Sequence, residues 1–403
     1  MKKIWRPGIL AILILLGFVY YTMYLEFYIQ YFPNGPEYKG IYQVATDWVK
    51  RFGTTLEPEE EAQAAREIPV LVSEASACLS TNPVARQYGL SSYEEYENFY
   101  NRSVRQVQGE LTAQEQERYA DAKILSNYLT SEETDNIEGR IYATRLFTQM
   151  YELWEQEGVN RRDKNFVEGY TQREYTHAED SFFGADHAWR NILPAELPEA
   201  FSNYLGYLLI WVCISSCLLL SPVPVRDRMR SMRPLQWSSR HGRKILRTQF
   251  AASMLSGAAL TAINLLIFGG LFMTHGIHTF FGCRIYSFMH TGFSWINPTF
   301  GTWCLLMVLL IYLTGMGISA IAFFLSMHST NYVAMLLKMI PLVILTALLC
   351  PRLLTRLFYY GNSLYQLTNI PGIEGYTALL ILAAGLILFL ITRHRQKRQE
   401  LLL

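Results

Sequence analysis

The sequence is poor in charge and lacks the short motifs by which many enzymes are recognised. Only 17% of its 403 residues are charged, against roughly a quarter in a typical soluble domain. It contains no Gly-Lys-Ser or Gly-Lys-Thr step and therefore no P-loop for ATP, and it has neither an HExxH nor a CxxC spacing. A net charge of +1 excludes a uniformly basic nucleic-acid binder. The composition also excludes collagen-like, disulfide-scaffold and wholly disordered chains.

The charge that is present is concentrated in one region. Residues 32–200 hold 30 of the 34 acidic and 16 of the 35 basic residues, whereas the rest is largely long apolar runs. A helix needs about 20 mostly apolar residues to cross a bilayer. Six stretches qualify, and we predict a mainly α fold, a polytopic six-helix membrane bundle with a mostly helical extracellular domain inserted between spans 1 and 2. The stretches are 8–28, 201–223, 252–275, 303–325, 332–350 and 376–392.

Basic residues predict the orientation of these spans. Lys2, Lys3 and Arg6 precede the first span, which resembles a signal peptide but has no small-x-small cleavage site after it, so we expect an uncleaved anchor. The 225–249 loop holds eight basic residues against Asp227, and the 393–403 tail holds four. The positive-inside rule then predicts a multi-pass protein of the cell membrane with both termini in the cytoplasm and residues 32–200 outside.

The chain accordingly divides into segments that alternate between membrane and water. These are 1–31 (cytosolic tip and span 1), 32–200 (extracellular domain), 201–224 (span 2), 225–249 (cytosolic loop), 250–392 (spans 3 to 6, with outer loops 277–298 and 351–375) and 393–403 (basic cytosolic tail).

Helical signals dominate residues 32–200. Pro58 before three glutamates predicts a helix from 58 to 78. Ser92 and Glu95 form a capping-box pattern. Helical spacing also covers 112–129 and 131–157, while 170–175 has the composition of a strand. In the 131–157 helix, one face is predicted to carry Ile141, Leu146, Met150 and Leu153.

Few residues in the sequence have the pattern of a chemical site. His177, Asp180, Asp186 and His187 lie close enough in sequence to ligate a metal, although polar residues of a loop explain them better. Cys78 and Cys283 are both predicted outside, where they could pair or remain free thiols. Within the spans, Glu26 and Gln30 are candidate pathway residues, and Lys338 is expected to reach the headgroups.

The 225–249 loop carries the most specific pattern. Basic residues alternate with Met229, Met232, Leu235 and Trp237, which predicts a short amphipathic helix on the inner membrane surface. A positive-inside loop binding anionic headgroups would also explain them. The loop ends in Ser-Ser-Arg-His-Gly-Arg before the apolar third span. With six spans, the large domain after span 1 and the opening Lys-Lys-Ile-Trp-Arg-Pro, the chain resembles type-2 (ABC-2) ABC transporter permeases of Gram-positive, clostridial type.

The resemblance implies an exporter subunit that is not itself an enzyme and binds no cofactor, because ATP is bound by a separate P-loop ATPase subunit. It also implies a second permease subunit, identical or not, within the lipid bilayer. The outer loop before span 6, with Leu353, Leu354, Leu357, Phe358, Tyr359 and Tyr360, would dip into the outer leaflet. The residues expected to couple ATPase closure to the spans are Arg228, Met232, Leu235, Trp237, Arg240, Gly242 and Arg243.

Two features depart from that family. Very few residues precede span 1, and Arg226-Asp227-Arg228 stands where relatives often have a Glu-Arg pair. Both bear on how an ATPase would be seated. An alternative remains open from the residues alone, namely a membrane-anchored extracellular ligand-binding or assembly protein without transport activity.

Overall fold

The computed structural model describes residues 3–34, 36–105, 111–157, 188–230, 245–289 and 294–400, together with Thr171, Glu174, Thr176 and His177. Within those residues the chain is mainly helical and forms no β-strand, only three isolated bridges. The mainly α prediction is confirmed. Most of the predicted 170–175 strand lies outside the described residues, and Glu174 within it has helical backbone.

Six helices are long and apolar enough to cross a membrane, as predicted. Each extends beyond its predicted apolar stretch on at least one side, because backbone hydrogen bonds continue the helix past the apolar residues. The spans are Pro7–Gln30, Glu196–Met229, Ile245–Met273, Phe300–Met327, Tyr332–Leu354 and Ile373–Arg395. We call the end of the bundle that joins the inserted domain (the described residues of 32–200) the domain side, and the opposite end the basic side.

Spans 2 and 4 form the centre of the bundle. Of the 18 most apolar consecutive residues in each span, 83% are buried in span 2 and 56% in span 4, against 17% in spans 1 and 6. Glycines allow span 4 to approach its neighbours closely: a Cβ on Gly317 would lie 2.7 Å from the Leu382 amide nitrogen of span 6, and one on Gly257 of span 3 would lie 2.5 Å from Ser319 Oγ. Small residues at such crossings are the usual basis of helix packing in membranes.

The described part of the inserted domain is a cluster of helices, from 5 to 21 residues long. Its helices are Pro36–Phe52, Pro58–Ala65, Ile68–Thr81, Pro83–Gln87, Tyr93–Tyr100, Ala113–Leu129 and Ile137–Glu157. The predicted single helix from 58 to 78 is wrong, since the chain turns at Arg66 and Glu67. Pro69 explains the break, because its ring would collide with the Ala65 carbonyl in a continuous helix. The capping box of Ser92 and Glu95 is confirmed.

The last long helix of the domain begins later than predicted. A short 3₁₀ turn at Glu132–Thr134 and two residues with positive φ, Asp135 and Asn136, precede Ile137. Ile141 is buried, whereas the other residues predicted on its face, Leu146, Met150 and Leu153, are only partly buried. The packed face instead carries Phe147, Tyr151 and Trp154.

One hydrophobic core runs from the inserted domain into the bundle. Trp154 Nε1 donates to the Phe288 carbonyl at 3.2 Å, and Ser287 Oγ donates to the Asn191 carbonyl at 2.6 Å. The connection between spans 3 and 4 is therefore attached to the inserted domain. The end of span 5 and the loop before span 6 belong to the same core, since Leu353, Leu354, Leu357, Phe358, Tyr359 and Tyr360 are all buried in protein. The predicted position of this loop in the outer leaflet stays a prediction.

Candidate functional site

The basic side of the bundle carries the first candidate site. Of the predicted coupling residues, Met232, Leu235, Trp237, Arg240, Gly242 and Arg243 lie outside the described residues, and only Arg228 is described. Both ends of the predicted 225–249 loop are helical: Pro222–Met229 continues span 2, and span 3 begins at Ile245. The span-2 end of this segment is consequently part of the packed bundle.

Three consecutive charged residues at the end of span 2 together contact three other parts of the chain. The Arg226 guanidinium donates to the Lys3 carbonyl at 3.3 Å. Asp227 Oδ2 accepts from Gln249 Nε2 of span 3 at 3.1 Å, and its Oδ1 lies 3.9 Å from Lys3 Nζ. Arg228 donates to the Ser329 carbonyl, just after span 4, at 3.2 Å. We call these six residues the basic-side junction.

Burial makes this junction costly to disturb. Arg226 is 9% exposed and Asp227 is 6% exposed. A buried charge that loses its partner is strongly destabilising, whereas an exposed pair contributes little. The triplet therefore joins the N-terminal tip, span 3 and the span 4–5 connection to span 2. Arg228, expected from the sequence to contact an ATPase, bonds within its own chain.

The candidate pathway residues of span 1 lie at the domain side. Gln30 Nε2 donates to Glu26 Oε1 at 2.8 Å, one helical turn away. Glu26 is half-buried and Gln30 is exposed. Glu26 and Gln30 therefore pair with each other on one helix. Their role in a pathway stays a prediction.

A buried polar contact within the bundle was missed from the sequence. Trp211 Nε1 of span 2 donates to Asn264 Oδ1 of span 3 at 3.0 Å, and Asn264 Nδ2 donates to Ser215 Oγ at 3.3 Å. Asn264 is the only asparagine in the apolar third span, and this feature of the sequence could have indicated a buried polar contact. A buried amide in lipid surroundings requires such partners. The contact holds spans 2 and 3 in register.

Two spans contain a π-helical turn at the same level. The turns are Tyr21–Leu25 in span 1 and Leu265–Gly269 in span 3, and the rings of Tyr21 and Phe268 are 6.1 Å apart. Tyr204 of span 2 donates its hydroxyl to the Phe268 carbonyl at 2.7 Å. Such turns are frequent at functional sites, because they leave backbone groups available to other partners. Spans 1, 2 and 3 thus share an irregular region near the domain side.

The inserted domain contains a second candidate site, a cavity of about 360 Å³ that we call the tyrosine cavity. Tyr96 donates its hydroxyl to both oxygens of Glu138, at 3.0 and 3.1 Å. Burial, and next the Glu138 carboxylate, raise the pKa of Tyr96 above its usual range, so the hydroxyl remains a donor. Five charged residues line the cavity: Glu97, Glu138, Arg105, Lys123 and Arg145.

This cavity has the features of a site that binds a small polar molecule. Arg145 pairs with Glu97 at 2.7 Å, and the Lys123 ammonium lies 5.6 Å from the centre of the Tyr100 ring. The charges are thus held by neighbours, with rings and amide groups between them. Such a surface can hydrogen-bond and stack a small polar molecule.

Metal and thiol chemistry have little support in the described part of the chain. It contains no group of three histidine, cysteine or acidic residues placed to hold an ion. Of the four residues weighed as ligands, only His177 is described. All six cysteines are free thiols. Cys283 is fully buried, which raises its pKa to about 12, and it forms no bond with Cys78.

Comparison of the chain with protein-family models, with curated proteins and with solved structures found no match.

Proposed function

We propose that the chain is the membrane permease subunit of an ATP-driven exporter, working with a separate P-loop ATPase and a second permease subunit. The proposal rests on the resemblance of the 225–249 segment, on the six candidate spans and on the domain inserted after the first of them. The chain's own sequence has no P-loop, so the energy must come from a partner.

The orientation in this proposal follows the basic residues. Lys3, Arg226, Arg228 and Arg395 all lie at the basic side, which is then cytoplasmic. The inserted domain is then extracellular. Its excess of acidic residues suits a surface in water.

The basic-side junction is the observation that supports the proposal best. An ATPase that moves the 231–244 segment would pull on the end of span 2, the most buried span. Arg226, Asp227 and Arg228 tie that end to three other elements. A displacement there would consequently be passed to spans 3 and 4 as one movement, because packed elements respond in discrete steps.

Co-purification tests this proposal directly. The tagged full chain is isolated in mild detergent from its own cells, and the eluate is analysed by mass spectrometry and for ATP hydrolysis. We expect a P-loop subunit that is lost in the Arg240→Ala/Arg243→Ala double variant. The matched control is Arg395→Ala/Arg398→Ala in the basic tail, which should retain it. A chain that purifies without any ATPase, while a known exporter treated alike stays assembled, would contradict the proposal.

The tyrosine cavity favours one second candidate, an anchored ligand-binding protein of the cell surface. That function needs a pocket in the inserted domain and no cytoplasmic partner, and the cavity provides the pocket. A small polar ligand bound by the wild type, lost in Glu138→Gln, and the absence of an ATPase from the eluate would together favour it over the exporter.

A further inference from the structure

A second, differently charged cavity lies at the domain side of the bundle, where span 1 ends and span 2 begins. It measures about 420 Å³ and is bounded by the end of span 1, the turn after it and the first turns of span 2. We call it the rim cavity. Its volume is in the range that holds a small organic molecule.

Four aromatic side chains line the rim cavity. Phe27, Tyr28 and Tyr31 come from the end of span 1 and the turn that follows, and Tyr38 comes from the first helix of the inserted domain. Phe27 and Tyr31 are more than half exposed, although both are large aromatic residues. These side chains thus offer aromatic surface to whatever enters.

Two carboxylates also line the cavity. Glu196 is half-buried and Glu199 is exposed, and both line the cavity. Neither takes part in an ion pair among the described residues. Their place in the first turn of span 2 favours acidic residues through the helix dipole. The dipole does not account for the aromatic rings that line the same cavity.

The charge of the rim cavity is of one sign. Among the described residues its lining contains no lysine, arginine or histidine, in contrast to the tyrosine cavity, which has three basic residues. Ring faces and carboxylates both attract cations, and ring faces also accept an apolar body. An anion would meet two carboxylates and no counter-charge among the described lining residues, so we expect this cavity to discriminate by sign.

We propose that the rim cavity binds an organic cation, a positively charged nitrogen or phosphorus centre carried on an apolar body. We also assign such cations as the class of molecule that is exported. Only this second assignment rests on the proposed export function. The cavity lies at the end of spans 1 and 2 that is extracellular in that proposal, where a molecule leaving the bilayer would pass.

Binding of two ions of equal shape and opposite charge tests the proposal. The full chain in dodecyl maltoside at pH 8 is dialysed to equilibrium against tetraphenylphosphonium or tetraphenylborate, with empty micelles as the baseline. We expect saturable binding of the cation only. Glu196→Gln/Glu199→Gln should weaken it at least tenfold, and Tyr31→Leu should weaken it severalfold. Glu94→Gln, which neutralises an exposed carboxylate elsewhere in the inserted domain, should leave binding unchanged.

Equal affinity for both ions, or equal cation binding by wild type and the double glutamine variant, would overturn the proposal. Competition then separates the two sources of such a cation. Displacement of the probe by lysophosphatidylcholine but not by soluble organic cations would identify a lipid headgroup as the occupant and remove the cargo assignment. This assay needs no ATPase, so failure to bind and failure of the exporter proposal are independent results.

Discussion

The crossing of two helices in the inserted domain supports a sharp prediction about stability. Helices Pro36–Phe52 and Ile137–Glu157 meet at Gly40 and Gly139. A Cβ on Gly40 would lie 2.6 Å from Gly139 Cα and closer still to its carbonyl group. Backbone atoms cannot rotate away as a side chain can, so Gly40→Ala must push the helices apart.

The expected cost follows from that distance. Restoring ordinary contact requires a separation of roughly 1 Å, and overpacking of this kind costs about 1–3 kcal/mol. Alanine gains about 0.5–1 kcal/mol over glycine in a helix, which offsets part of it. We expect a net loss of about 1 kcal/mol in the free energy of opening the domain, equivalent to about fivefold faster cleavage when proteolysis follows the opened population.

Limited proteolysis of the purified full chain, with cleavage mapped to residues 36–157, measures this effect. Gly139→Ala should be milder, because its Cβ meets the movable Asn136 side chain at 2.6 Å. Gly270→Ala is the control, since a Cβ there has nothing within 4 Å. Cleavage of the Gly40→Ala variant at the wild-type rate would refute the close crossing.

Three further predictions address other parts of the molecule. Asp227→Ala should lower the free energy of unfolding by about 2–3 kcal/mol, because it removes a buried acceptor, and Asp227→Asn should lower it less. A melting temperature of Asp227→Ala equal to that of the wild type would contradict the junction. Bonds from the backbone and side chain of Ser91, then from Ser92, lower the pKa of Glu95, so its cap is fully effective above the ordinary carboxylate pKa of about 4.3 and is lost as pH falls through the lower folded pKa. Glu95→Gln should flatten that acid limb of stability against pH, and an unchanged limb would exclude the cap as its source. A maleimide at pH 7 should label half-buried Cys78 and spare buried Cys283; labelling only after reduction would reveal a disulfide.

Much of the local structure could be predicted from residues near one another. The six spans follow from apolar length, because lipid imposes that length on any crossing helix. The cap at Ser92 follows from a four-residue pattern. The break at Pro69 was equally local and could have been read, since proline disrupts the interior of a helix.

The contacts that define the candidate sites could not be predicted in this way. Asp227 and Gln249 are 22 positions apart, and Tyr28 meets the start of span 2 across the whole inserted domain. Nothing in a sequence window states which side chains will face each other after packing. The buried state of Tyr359 shows the same limit, because an aromatic residue in a loop suits either a lipid surface or a protein core.

The sequence by itself determined the number and approximate positions of the spans and the helical nature of the described part of the inserted domain, because these depend on composition and spacing along the chain. The tertiary structure alone decided that span 2 is central, that Arg226, Asp227 and Arg228 join three elements, and that the two cavities differ in charge. The physical reason is that burial and pairing are properties of neighbours in space, and those neighbours exist only once the helices have packed.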